Sequence, residues 1–127
     1  MYDFNLILIS ALEINTIGKR ELGSLWLGVY PIDKIPFLRE GCFIINTQTS
    51  TLPGEHWIAV NITSVRINVF DSFGFYYPDL LVKKLTLLRR PILFNRVQYQ
   101  NILSKTCGQH CLMWLISINE CNVNKNE

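Results

Sequence analysis

The sequence predicts an α+β domain in which a central, mainly antiparallel sheet packs against a buried C-terminal helix. Three observations carry that reading. β-rich runs follow one another through residues 41–74 with only short turn signals between them. An amphipathic segment then separates these from a fourth run. The chain closes on "CLMWLISI", residues 111–118, an apolar stretch that reads as a helix covered on most sides. Strands in succession with helices set apart from them are the α+β pattern.

Taken in order, residues 5–22 place Leu8, Leu12 and Ile14 at helical spacing, with Gly18 among them, and predict a helix whose start is unmarked. "LWLGVYPIDKIP", 25–36, is aromatic, apolar and closed by prolines, and reads as a loop or a short edge strand. "GCFIINTQ", 41–48, and "HWIAVNIT", 56–63, are strands separated by the turn-forming "TSTLPGE". "RINVFDSFG", 66–74, is a third, joined to the second by the tight connection "TSV". In "PDLLVKKLTLLRR", 78–90, a proline opens a helix with Leu80, Leu81, Leu85 and Leu88 on its apolar side. "ILFNRVQYQN", 92–101, is the fourth strand. The last helix begins near residue 106, with Thr106 as its N-cap, and the polar end, 121–127, is expected to fray.

Length and composition restrict the function classes. The 127 residues suit one domain, and 49% hydrophobic with 17% charged residues describes a chain that folds. The longest apolar runs fall well short of the roughly 18–20 residues that span a bilayer. With Asp3 near the start and no basic leader, a secretory signal is not expected. Cys42, Cys107, Cys111 and Cys121 are therefore expected as thiols of an intracellular protein, not as a disulfide framework. The net charge is +2, and its basic cluster, 82–90, reads as a solvated helix face more readily than as a nucleic-acid footprint.

The residues that could carry chemistry are few. Cys107 falls where the last helix begins, near unpaired N–H groups and the positive end of the helix dipole, a place that acidifies a thiol. A small buried cysteine is the competing reading. Gly108 beside it would let a substrate backbone approach. His56 heads the second strand, the first partner to seek for a thiol, and Trp57 after it could wall a cleft or pack on the imidazole. Asp71 ends the third strand. Antiparallel neighbours joined by a short turn bring the start of one beside the end of the next, so His56 and Asp71 can meet. The alternative role for Asp71 is an Asx-type bond opening the "DSFG" turn. Gln98 and Gln100 are two amides upstream of Cys107. Either could be a surface residue, and Gln100 could donate to an oxyanion with the Cys107 backbone N–H as its companion. A zinc site on Cys107, His110, Cys111 and Cys121 would give a non-enzymatic interaction module, but three of these fall within one helical turn, whereas zinc usually draws on separate elements. No metal is expected.

The order His, Asp, Gln, Cys, carried by "GEHWIAV", "VFDSFGF", Gln100 and "KTCGQHCLMWL", resembles the adenovirus-type processing proteases, the adenain family of cysteine endopeptidases. "LGVYPIDKIPF" and "CFIINT" look like that family's N-terminal portion. The resemblance implies a papain-like architecture with His56 as general base, Asp71 as its orienting acid, Gln100 as oxyanion donor and Cys107 as nucleophile. Trp57 and Gly108, read from their places next to His56 and Cys107, are expected beside the substrate. The wider clan holds SUMO- and NEDD8-specific proteases, which typically place the glutamine six residues before the cysteine; here the spacing is seven. The implied activity is cleavage of capsid or core precursors of a virus or virus-like element beside small residues such as glycine. A ubiquitin-like-modifier isopeptidase is the alternative. No cofactor is required by the sequence. Family resemblance alone adds an activating peptide and DNA, a setting in the host nucleus, cytoplasm or virion, and a monomer acting on protein substrates.

Overall fold

The structure, a computed structural model, describes residues 10–36, 38–47, 56–71, 77–95 and 107–125, with the backbone alone at 107 and 121–125. The elements are α1 (Ala11–Leu22), β1 (Trp26–Pro31), β2 (Gly41–Asn46), β3 (Trp57–Ile62), β4 (Ile67–Asp71), α2 (Asp79–Thr86), β5 (Ile92–Phe94) and α3 (Cys107–Lys125). The five strands lie side by side in chain order. Strands β2, β3 and β4 form an antiparallel meander, and β1 and β5 join its two sides in parallel.

The sheet is thus mixed, not mainly antiparallel as expected. Each parallel pair needs a returning connection, and α2 supplies one as a crossover between β4 and β5. The helix expected between the third and fourth strands was the sign of that crossover. On the other side the chain returns from β1 to β2 through the short helical turn Ile32–Lys34. The segment 25–36 therefore contains an edge strand. Its pairing with β2 is interrupted between Trp26 and Gly28, and Gly28 adopts φ 123°, a backbone conformation that favours glycine.

Helix α1 starts at a capping box. Glu13 N donates to Ser10 Oγ at 3.1 Å, and Ser10 N donates to Glu13 Oε1 at 3.3 Å. Its buried stripe is Ile14, Gly18 and Leu22, whereas Leu12, expected on the apolar side, is 75% exposed. Gly18 explains the rotation. A Cβ there would come within 2.4 Å of the Trp26 ring, and Trp26 Nε1 donates to Asn15 Oδ1 at 2.8 Å. The helix is seated by an indole lying flat against a glycine.

The sheet buries both faces. One carries Cys42, Ile44, Trp57, Ala59 and Phe70 against α1 and α3. The other carries Phe43, Ile45, Ile58, Val60, Ile62, Ile67 and Val69 against Leu81 and Leu85 of α2 and against Ile32, Ile35 and Leu38. The β3–β4 turn is tight, as expected: the Thr63 hydroxyl accepts from the N–H groups of Val65 and Arg66 at 3.3 and 3.2 Å. Part of the basic cluster 82–90 is structural. Lys84 Nζ donates to Ile35 O at 2.9 Å, and Arg90 Nη1 donates to Thr63 O at 2.7 Å.

Two expected boundaries move. The fourth strand is short, Ile92–Phe94, and residues 96–101 of its expected range lie outside the described residues. Helix α3 is described as far as Lys125, past residue 121 from which the polar end was expected to fray. Thr106 lies outside the described residues. Among those described, no helix is long and apolar enough to cross a membrane.

Candidate active site

The β3–β4 ladder pairs Ile58 with Asp71, and His56 stands one residue ahead of β3. Thr47 N donates to His56 O at 2.9 Å, so the chain at His56 is still tied to the β2 side. This register brings the two side chains together as expected: His56 Nε2 lies 2.7 Å from Asp71 Oδ1. The Asp71 side chain is fully buried and that of His56 is 15% exposed. A carboxylate removed from water needs a cation or several donors, and an imidazole that can take up a proton is such a partner. The turn beyond Asp71, residues 72–76, lies outside the described residues.

A second polar group holds Asp71 by its main chain. Asp71 N donates to Asn95 Oδ1 at 2.8 Å, and Asn95 Nδ2 donates to Asp71 O at 2.9 Å. The Tyr77 hydroxyl donates to Asn95 O at 2.7 Å and also contacts Asn95 Oδ1. Neither Asn95 nor Tyr77 was marked in the sequence. An asparagine just after a strand ordinarily signals a turn, and nothing local shows that it reaches a strand-end aspartate 24 residues earlier.

Helix α3 is set along β3 by directional bonds. Cys111 Sγ donates to Trp57 O at 3.3 Å, and Asn119 Nδ2 donates to Asn61 Oδ1 at 3.1 Å and to Leu115 O at 2.9 Å. From Cys111 to Asn119 the helix rises about 12 Å, and from Trp57 to Asn61 the strand rises about 13 Å. Helix and strand therefore run in step. One turn back from Cys111, about 6 Å, the start of α3 comes level with the residues just ahead of Trp57, where His56 stands. Position 107 opens the same helix stripe as Cys111, Leu115 and Asn119.

The remaining expected site residues divide. Trp57, expected beside substrate, is only 5% exposed. It packs with Ile14, Leu22, Trp26 and Cys111 in the core, because strand alternation turns it toward α1 and α3 and away from the side shared by His56 and Asp71. Gly108 is buried in the first turn of α3. Gln98, Gln100 and the Cys107 side chain lie outside the described residues.

The other thiols and the second histidine are placed differently. Cys42 is fully buried, its Sγ donates to Leu25 O at 3.5 Å, and burial pushes its pKa up to about 12. Cys111 is buried against Trp57 O, as the packing role expected of it requires. His110 is partly buried beside Phe70, Met113, Trp114 and Ser117, and burial lowers its pKa below the usual histidine value. Among the described residues no three His, Cys, Asp or Glu side chains gather as a metal site.

Pair, clamp and helix start together give an imidazole held against a buried carboxylate, level with the first residue of a helix. No protein-family model matches the sequence, and no curated protein matches it. Among solved structures the chain is similar to the Se-Met ASFV pS273R protease, at 20% sequence identity and a TM-score of 0.41 over 61% of this chain. That likeness carries no argument about chemistry, and the chain spans about a third of the other protein's length, 34% being covered.

Proposed function

We propose that this chain is a thiol endopeptidase of the adenain type, with Cys107 as nucleophile, His56 as general base, Asp71 as the acid that orients it and Gln100 as oxyanion donor. The observation that carries the reading is the buried Asp71 carboxylate held 2.7 Å from His56 Nε2 at the head of β3. The axial register of α3 on β3, which brings the helix start level with the head of that strand, supports it further.

With Nε2 on the carboxylate, Nδ1 is the nitrogen that takes the thiol proton. The thiolate attacks the scissile carbonyl carbon, and the oxyanion is held by the Gln100 amide and the Cys107 N–H. Collapse breaks the C–N bond, and the imidazolium gives its proton to the departing amine. Water, deprotonated by His56, then attacks the thioester, and the acid product leaves as the thiol is restored. Asp71 keeps the ring in its working tautomer and stabilises the imidazolium. The substrates proposed are precursor proteins cut beside small residues such as glycine, a preference that comes from the sequence resemblance.

The test is cleavage of a Gly-Gly-containing peptide by wild type and by Cys107→Ala. Wild type is expected to cleave and Cys107→Ala to lose cleavage down to background; equal rates for both would sink the assignment. Efficient labelling by a ubiquitin-like C-terminal electrophile would move the substrate class to modifier proteins.

A further inference from the structure

We infer that Asn95 is a positioning residue for the catalytic acid, a conclusion that rests on reading His56 and Asp71 as the base and acid of a thiol peptidase. Among the described residues the parallel ladder between β4 and β5 runs to Val69 and Phe94, with Asn95 N donating to Val69 O at 3.0 Å as its last main-chain bond. One rung further along β4 stands Asp71. Its partner on the β5 side is the Asn95 carboxamide, which accepts from Asp71 N and donates to Asp71 O at 2.8 and 2.9 Å. The carboxamide thus replaces a peptide unit of a longer strand. Asparagine suits the place because a short amide offers a donor and an acceptor side by side.

The clamp is itself anchored. The Tyr77 hydroxyl bonds Asn95 O at 2.7 Å, and the Tyr77 ring packs on Phe94 with centroids 4.6 Å apart. Asp71 is the last residue of its strand, so on the β5 side the direction of its carboxylate depends on this amide. On the other side it depends on the rung to Ile58. Loosening the amide lets the Asp71 backbone drift while the hydrophobic core below it stays packed. A misplacement of about 1 Å in a positioned group can lower a rate about 100-fold.

The test has two readouts. In a Cys107→Ala background, which removes the thiol that would titrate against the ring, the His56 imidazole is titrated by NMR, with His110→Gln used to assign the two histidines. Asp71→Asn marks the full loss of the carboxylate and moves the His56 midpoint down. Asn95→Ala is expected to move it in the same direction while the fold is kept, and Asn95→Asp, which keeps the acceptor and loses the donor, to move it less. With Cys107 restored, Asn95→Ala lowers kcat about 10- to 100-fold and leaves KM within about twofold. A folded Asn95→Ala whose His56 titrates as in the parent overturns the inference. If Asn95→Ala does not fold, Tyr77→Phe, lacking only the hydroxyl, must shift the midpoint the same way, and an unmoved midpoint there overturns it equally. Shifted midpoints in a protein that cleaves no peptide would uphold the positioning of Asp71 and sink the peptidase reading instead.

Discussion

Under α2 the sheet presents Phe43, Ile45, Ile58, Val60 and Val69 to Leu81 and Leu85, an apolar contact in which one sliding position is nearly as good as the next. Under α3 the sheet presents an apolar layer as well, but two polar bonds cross it. One runs from Cys111 to Trp57 O and the other from Asn119 to Asn61, about two turns of helix between them. Each buried polar pair adds little net stability, yet it forbids axial displacement, because sliding would leave both partners without bonds in a dry interior. The helix proposed to carry the nucleophile is the one so pinned. α2 supplies burial with one tie outside the sheet, Lys84 to Ile35 O, and α3 supplies burial with an address on the strand itself.

The contrast can be broken from either side. The largest expected effect lies on the face under α2. Phe43→Ala removes a fully buried ring and should cost about 3–5 kcal/mol, read as a lower urea midpoint, while kcat per folded molecule stays at the wild-type value. A parallel fall in kcat would show that this face also sets the site.

On the pinned face a smaller loss of stability should bring a larger loss of rate. Asn119→Ala leaves the buried Asn61 carbonyl without its donor and should cost about 1–3 kcal/mol, with peptide turnover falling more than the folded fraction. The sharper form is the double change Asn61→Leu with Asn119→Leu, which removes both polar partners. Stability should recover toward wild type without recovery of kcat; full recovery of both would mean that the pair sets no register.

The smallest effect concerns His110. Burial lowers its folded pKa below the unfolded 6.5, so the unfolded chain binds the proton more tightly. The contribution of a neutral His110 is fully present above 6.5 and is lost as the pH falls through the window between 6.5 and the lowered value. His110→Gln should flatten the acid-side fall of the urea midpoint slightly and leave the neutral value in place. A steeper acid-side fall in the variant would contradict the burial account.

How much of this could be read beforehand follows from where each piece of information resides. The meander β2–β3–β4 was legible because alternation and turn residues are local, and for the same reason the meeting of His56 with Asp71 followed from strand order and a short turn. The parallel pairings were missed because parallel and antiparallel neighbours draw on the same residue types, and the difference lies in the connection. Trp57 was placed beside substrate because it follows His56 in sequence; in a strand, adjacency means opposite faces. The face of α1 was set by Gly18 and Trp26, a fit between two elements that no single-helix pattern contains. Asn95 was invisible for a related reason, since its side chain acts as backbone for a strand distant in sequence. The placement of Gln100 and of the Cys107 thiol lies outside the described residues, and their roles remain those the sequence resemblance implies.

The outermost strands have a consequence for how the protein behaves in a crowded solution. Its central strands, "GCFIIN" and "WIAVNI", are short, β-branched and uncharged, the composition that stacks into fibrils when one copy can pair with the next. They are shielded by two poor templates. Among the described residues β5 covers three positions, and β1 is interrupted after Trp26 and ends at Pro31, so neither described edge offers a long, regular row of donors and acceptors to a second molecule. Among the described strands the aggregating sequence is kept in the middle, and the margins are left to the two strands least suited to pairing with another copy.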